Sequence, residues 1–247
     1  MNQYSIVSVV NQEYEKFLKV FLKSALEKLS LENIKEICIL NTGVSDEVVS
    51  ELEKLNGKIK IIKHDEIIDS SHSWDEGWQK NVLLKTKFVK DYISENKIPT
   101  FMIDVDSMFL NDTSDILDTG VDVVLCDRSD IWGGMPFIAS FVGFLNVKKS
   151  IEFLDEWILE MKNINGFETR ETPALNVMAR KGDKYKIGAL SHKVIGLYHE
   201  NSLSEETRIV HFKGGGESQK RTKDEAIMIR FSRFKKLNSK IEEYLNV

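Results

Sequence analysis

The sequence predicts an α/β protein built on a doubly wound, mostly parallel sheet with helices on both faces. Three observations predict it. Short β-branched runs alternate with amphipathic helical stretches from the first residues onward, the pattern of parallel strands joined by crossover helices. A central apolar run ends on two carboxylates, Asp104 and Asp106, where the strand ends of such sheets receive ligands. No internal repeat, low-complexity tract or long linker interrupts the pattern, so one domain over residues 1–247 is expected.

The elements follow in order. Ser5 to Val10 reads as a buried strand ending at Asn11. Glu13 to Leu29 carries Phe17, Leu18, Phe21, Leu22, Ala25, Leu26 and Leu29 at helical spacing. Ile37 to Leu40 is the next strand, with Asn41-Thr42-Gly43 as its turn. Ser45 is placed to cap a helix over Asp46 to Leu55, and Lys58 to Lys63 is a third strand. Trp78 to Ser94 is a helix, and Asn96 to Pro99 breaks the chain before the strand of Thr100 onward. Val121 to Cys126 is a strand, Pro136 to Val147 a long strand or hairpin, and Lys148 to Asn163 a helix. Thr172 to Arg180 is a short helix with Thr172 as its cap and Pro173 at its first position. Arg208 to Phe212 is a short strand, and a terminal helix starts near Thr222.

Composition bounds the function. Hydrophobic residues make up 42% and charged residues 30%, an ordinary folded composition. The net charge of −5 gives no support to nucleic-acid binding, although ten Lys/Arg face five Asp/Glu from Arg208 to Val247. The longest nearly apolar run, Met135 to Val147, is too short to span a membrane. The first residues carry no basic or cleavable apolar segment, so a cytoplasmic protein without a transmembrane segment is expected. Cys38 and Cys126 each sit inside a β-rich run and are expected to be buried free thiols.

The chemistry centres on Asp104-Val105-Asp106. Two acids at the end of a buried strand repel one another and resist desolvation unless a cation or donors hold them. Alternation along the strand is expected to aim both the same way and Val105 the other. An oxygen-rich pair of this kind suits Mg²⁺ or Mn²⁺. Sixteen Asp in 247 residues make about one Asp-x-Asp by chance, so position rather than the triplet carries the argument. His211 closes a late strand and precedes Lys213-Gly214-Gly215-Gly216, a loop able to bring backbone amides to phosphate oxygens. Two carboxylates and an imidazole leave coordination positions for a diphosphate, and the nitrogen favours Mn²⁺ over Mg²⁺. Lys213 and Lys220 are candidates to neutralise phosphate charge. No phosphate-binding P-loop, dinucleotide fingerprint, serine-nucleophile elbow or zinc-spaced Cys/His cluster is present.

Together these features resemble the GT-A-fold glycosyltransferases, in the style of the glycogenin/galactosyltransferase-like enzymes and related nucleotide-diphospho-sugar transferases. The likeness rests on the opening strand with Tyr14, Trp78-Gln79-Lys80 with Lys85 and Lys87, Asp104-Val105-Asp106, and His211-Phe212-Lys213-Gly214. It implies a metal-dependent transfer from a nucleotide-diphosphate sugar, a UDP-sugar, to an acceptor hydroxyl of a glycan, lipid-linked, protein or modified nucleic-acid partner. It implies Asp104, Asp106 and His211 as metal ligands. Donor contacts are implied at Val9, Asn11, Tyr14, Lys80, Lys85, Asp104, Val105, Lys213, Gly214 and Lys220. The relatives are mostly retaining; inversion would need a general base, for which Glu171, Asp127 and Asp130 are the candidates. The chain departs from the family in reading Ser140-Phe141-Val142-Gly143-Phe144 where an Asn-x-Gly is usual. It also has Glu171-Thr172 where an acid-Gln pair is usual, and lacks Lys-Pro-Trp after the histidine. His72, Trp74, Asp75 and Trp78, with the loop Trp132 to Pro136, are candidate sugar- or base-stacking segments. Two other readings stand beside this one: a metal-dependent nucleotidyltransferase, and a non-catalytic module of the same fold.

Overall fold

The computed structural model describes residues 3–68, 76–131, 133–164, 171–197, 201, 203–212 and 223–246. In chain order these form β1 (Tyr4–Val10), α1 (Glu15–Lys28), β2 (Ile34–Asn41), α2 (Asp46–Glu53), β3 (Ile59–Lys63) and α3 (Glu76–Asn96). Next come β4 (Thr100–Ile103), β5 (Ser107–Phe109), β6 (Val123–Asp127), β7 (Phe137–Phe144), α4 (Val147–Asn163) and α5 (Glu171–Ala179). The chain continues with β8 (Ile187–Ser191), β9 (Ile195–Leu197), β10 (Ile209–His211), α6 (Lys223–Ser232) and α7 (Asn238–Leu245).

The main sheet has seven strands in the order β3-β2-β1-β4-β7-β6-β8. β1 pairs in parallel with β2 and β4, and β2 with β3. β7 runs antiparallel to both β4 and β6, while β6 and β8 are parallel. One reversed strand in seven keeps the sheet mostly parallel, as expected, and puts the carboxyl ends of β1, β4 and β6 on one edge. A second sheet, β5-β10-β9, takes the chain immediately after β4.

Sequence periodicity explains the layers. Alternate residues of β1 face opposite sides: Ile6 and Val10 join Phe21, Leu22 and Leu52 from α1 and α2, whereas Val7 joins Val89 and Trp157 from α3 and α4. Ser24 on the buried face of α1 is satisfied twice, donating to the Phe21 carbonyl and accepting from Phe109 N at 3.0 Å. That bond ties α1 to the second sheet. Ser45 caps α2 as expected, its hydroxyl accepting from Val48 N at 3.4 Å.

The structure refines the sequence reading at four places. Of the two readings for Pro136 to Val147, the strand holds and the hairpin does not: β7 covers Phe137–Phe144, every residue from Ile138 to Phe144 is buried between β4 and β6, and Val147 already opens α4. β8 and β9 were not foreseen; β8 is half-exposed, and Ile187 and Leu190 are its only large apolar residues. Thr172 lies inside α5 rather than capping it, its hydroxyl accepting from Ala139 N at 3.4 Å, and Pro173 still falls in the first turn where no N–H is needed. The terminal helix is two helices, α6 and α7, split by a 3₁₀ turn at Lys235–Leu237. The break lets α7 return onto α1, where the Tyr244 hydroxyl donates to Glu27 at 2.6 Å and Lys23 Nζ donates to the Tyr244 carbonyl at 2.7 Å.

Gly143 on β7 sits opposite Phe101 of β4 and Val124 of β6. A Cβ there would lie 3.2 Å from two ring carbons of Phe101 and 3.4 Å from Val124 Cβ. The Phe101 ring cannot retreat, being packed on Tyr4 and Phe141 with centroids at 4.7 and 5.5 Å. Gly143→Ala is therefore expected to destabilise the fold by about 1–3 kcal/mol. Gly57→Ala, with nothing within 4 Å of the new carbon, should stay within about 0.5 kcal/mol of wild type, and urea titration of both variants checks the contrast.

Candidate active site

The acid pair lies where the chain changes sheets. β4 ends at Ile103, residues 104–106 form a bend, and β5 begins in the second sheet at Ser107. Strand alternation therefore does not aim the two carboxylates. The bend does, and it is fastened on both sides: Asp104 N donates to the Ser140 carbonyl at 2.9 Å, and Phe212 N donates to the Asp106 carbonyl at 2.8 Å. Val105, 5% exposed, commits its side chain to the core beside Ile103 and Phe109, so only its backbone remains for a ligand.

His211 ends β10 opposite Ser107, which carries its ring back over the bend. Its Nε2 lies 3.1 Å from Asp106 Oδ1 and 3.7 Å from Asp104 Oδ2, and its Nδ1 is buried without a hydrogen-bond partner among the described residues. One ligating atom from each of the three falls within 4.8 Å of the others. Neighbouring ligand atoms around an octahedral cation with bonds of about 2.1 Å stand roughly 3 Å apart. The spacing and the mixed oxygen and nitrogen donors thus suit one small divalent ion.

Two further cations converge on the acids. Lys85 of α3 is 6% exposed, and its ammonium sits 2.5 Å from Asp104 Oδ1 and 2.9 Å from Glu171 Oε1. Each oxygen of Asp104 thus has its own neighbour, Lys85 for one and His211 for the other. Arg230 of α6 places Nη1 3.7 Å from Asp106 Oδ2, with its guanidinium 5.4 Å from the centre of the Tyr14 ring and 5.5 Å from that of Phe17. Burial alone would raise the Asp106 carboxyl, but His211, Arg230 and Lys85 outweigh it and hold the group at about 2. Burial pushes Glu171 up to about 7; Lys85 opposes that shift and the charge of Asp104 adds to it. Burial would lower Lys85, yet Asp104 and Glu171 raise it, so it stays charged.

The other sequence candidates are placed as follows. Asn11 follows β1 on the same sheet edge, 8% exposed, with its side-chain oxygen unpartnered among the described residues. Tyr14 ends the adjoining 3₁₀ turn and stacks on Arg230; Val9 is half-buried near the end of β1. Lys80 is exposed on α3. Asp127 ends β6 and accepts from Ser129 N at 2.8 Å. Asp130 is exposed, 3.9 Å from His192 Nδ1. The structure does not bring Asp127 or Asp130 into the cluster of Asp104, Asp106 and His211. Lys213, Gly214, Gly215, Gly216 and Lys220 lie outside the described residues, as do His72, Trp74, Asp75, Trp132 and the Trp78 side chain. Sequence reasoning missed Arg230. Its signal was the basic C-terminal stretch combined with Ile227, Phe231 and Phe234 at helical spacing, which anchors α6 against Phe17 and Phe212.

The fold is that of the GT-A glycosyltransferases. Among solved structures, it is similar to the bifunctional glycosyltransferase WbbM, with a TM-score of 0.65 and 13% identity over 98% of this chain and 52% of WbbM. The chain thus spans about half the length of that protein. The galactosyltransferase LgtC, solved with donor and acceptor sugar analogues, gives a TM-score of 0.58 and 13% identity over 93% of this chain and 96% of LgtC. An active-site mutant of LgtC gives a TM-score of 0.60 at 13% identity, covering 92% of this chain and 95% of that one. No protein-family model matches the sequence, and no curated protein matches it.

Lys85→Met leaves Asp104 and Glu171 buried without their shared cation and should cost about 3–5 kcal/mol. The sign with pH follows from Glu171. Its carboxyl is already raised from 4.5 in the folded protein, and losing Lys85 raises it further. The cost of ionising it is present above the unfolded value and vanishes below it. Urea unfolding of Lys85→Met should therefore show a larger deficit at pH 8 than at pH 5.

Proposed function

We propose that the chain is a single-domain, metal-dependent glycosyltransferase that moves a sugar from a nucleotide-diphosphate sugar to an acceptor hydroxyl. The observation that carries this reading is the convergence of Asp104, Asp106 and His211 within 4.8 Å at the carboxyl edge of the sheet. These three residues would hold the ion, and the imidazole favours Mn²⁺ over Mg²⁺. When bound, such an ion supplies Lewis-acid stabilisation of the negative charge that develops on the departing diphosphate.

The chain's own residues prepare that site. Lys85 holds the Asp104 carboxylate in place and balances Glu171, so neither acid drifts into the space a donor needs. Asn11 and Tyr14, at the end of β1, are proposed to meet the nucleoside, with Val9 lining its approach and Lys80 near the diphosphate. Backbone at Val105 is proposed to contact the ribose or phosphates. Lys213, Gly214 and Lys220 are proposed as the diphosphate loop. A UDP-sugar is the proposed donor. Retention is the proposed outcome: Asp127 and Asp130 stand apart from the cluster, and Glu171 is held in an ion pair with Lys85 rather than free to take an acceptor proton. No helix among the described residues is long and apolar enough to cross a membrane.

Thermal unfolding with UDP, GDP, CDP, ADP and TDP, each with and without Mn²⁺, tests this reading. A ligand at a hundred times its dissociation constant adds about 2.7 kcal/mol, which is roughly 5–10 °C for a domain of this size. The expected result is a manganese-dependent rise with a uracil nucleotide, lost in Asp106→Asn. In a parallel series with the corresponding nucleoside triphosphates, a rise together with release of pyrophosphate would instead support a nucleotidyltransferase. No rise with any nucleotide would leave a non-catalytic module.

A further inference from the structure

Arg230 does not pair closely with the acids of the cluster; its side-chain hydrogen bond is to Tyr14. Its guanidinium stays 3.7 Å from Asp106, too far for a hydrogen bond. It is nonetheless held firmly. The side chain is 14% exposed and lies against the rings of Tyr14 and Phe17. Its helix is pinned by Phe231, 2% exposed, edge-on to Phe17 and Phe212 with centroids at 4.8 and 5.1 Å. A permanent cation is thus fixed beside a carboxylate suited to bind another cation.

The charges decide the consequence. Asp104, Asp106 and Glu171 contribute three negative charges when fully ionised and Lys85 and Arg230 two positive ones, and Glu13 is a further carboxylate acting on Arg230. A divalent ion entering alone places two more positive charges beside that of Arg230. A diphosphate brings negative charge with it. We propose that Arg230 makes divalent-metal binding conditional on the nucleotide diphosphate: it weakens capture of the bare ion and favours the ion that arrives with phosphates. This rests on the glycosyltransferase reading above.

A unit charge and a dication roughly 6 Å apart repel by about tenfold in binding constant even at the dielectric of water. Mn²⁺ binding, measured by the loss of the free-ion electron paramagnetic resonance signal, reads this without any turnover. Arg230→Gln should bind Mn²⁺ alone about tenfold more tightly than wild type, and the tightening of Mn²⁺ by UDP should shrink by a similar factor. Arg230→Lys keeps the charge and should remain within about threefold of wild type, separating charge from any loosening of the helix. Equal or weaker Mn²⁺ binding in Arg230→Gln, or the same gain in both variants, would overturn the inference while leaving the transferase reading intact. If wild type binds no Mn²⁺ with or without any nucleoside diphosphate, both readings fall.

Discussion

Two carboxylates confined to a three-residue bend are the constraint on which the rest of the site depends. Asp104 and Asp106 leave the main sheet together, and Asp106 is almost fully withdrawn from water. Their mutual repulsion and desolvation are tolerable only because positive or donor groups arrive from three distant segments: Lys85 from α3, His211 from β10 and Arg230 from α6. Each of these is placed by its own packing. Lys85 is fixed by a second acid, Glu171, at the start of α5, whose carbonyl in turn accepts from Trp157 Nε1 at 3.1 Å. His211 is fixed by its pairing with β5, and Arg230 by the aromatic cluster beneath α6.

That arrangement explains why the second sheet and the C-terminal helices exist as they do. A chain that continued straight from β4 would leave the acids on one face of the main sheet, about 6–7 Å apart along the strand. By switching sheets at Ser107, it brings them to a point where a strand from near the end of the sequence can fold back over them. α7 then clasps α1 through Tyr244 and Lys23, closing the aromatic cluster that holds Arg230. The site is thus assembled from residues more than a hundred positions apart, with the acids in a bend held between two strands and their partners on helices and a strand.

Much of this was legible in the sequence. The first three strands and their helices are strongly periodic, and periodicity reports burial directly, so their order and sense could be read. The acid pair and His211 were legible as polar residues at the ends of apolar runs. What could not be read were features set by tertiary contact. The reversal of β7 leaves no trace in a strand buried on both faces. β8 has only Ile187 and Leu190 as large apolar residues, and each of its five residues is at least partly exposed, so no buried-strand pattern marks it. The bend at 104–106 looked like continuous strand because Val105 is apolar, and only the core beneath explains it. Arg230 resembled any basic residue on a solvated helix. Its burial depends on where α6 docks, which local pattern does not encode. Asp127 and Asp130 had the right chemistry and strand position, and three-dimensional distance alone sets them apart.

The central claim is that Asp104, Asp106 and His211 jointly hold one divalent ion. Pulsed electron paramagnetic resonance of the manganese-loaded protein in the presence of UDP tests it most directly, because imidazole ligation couples the electron spin to nitrogen. The account predicts a nitrogen coupling from a single histidine in the wild type that disappears in His211→Gln. A wild-type spectrum without nitrogen coupling, or a coupling that persists in His211→Gln, would contradict it.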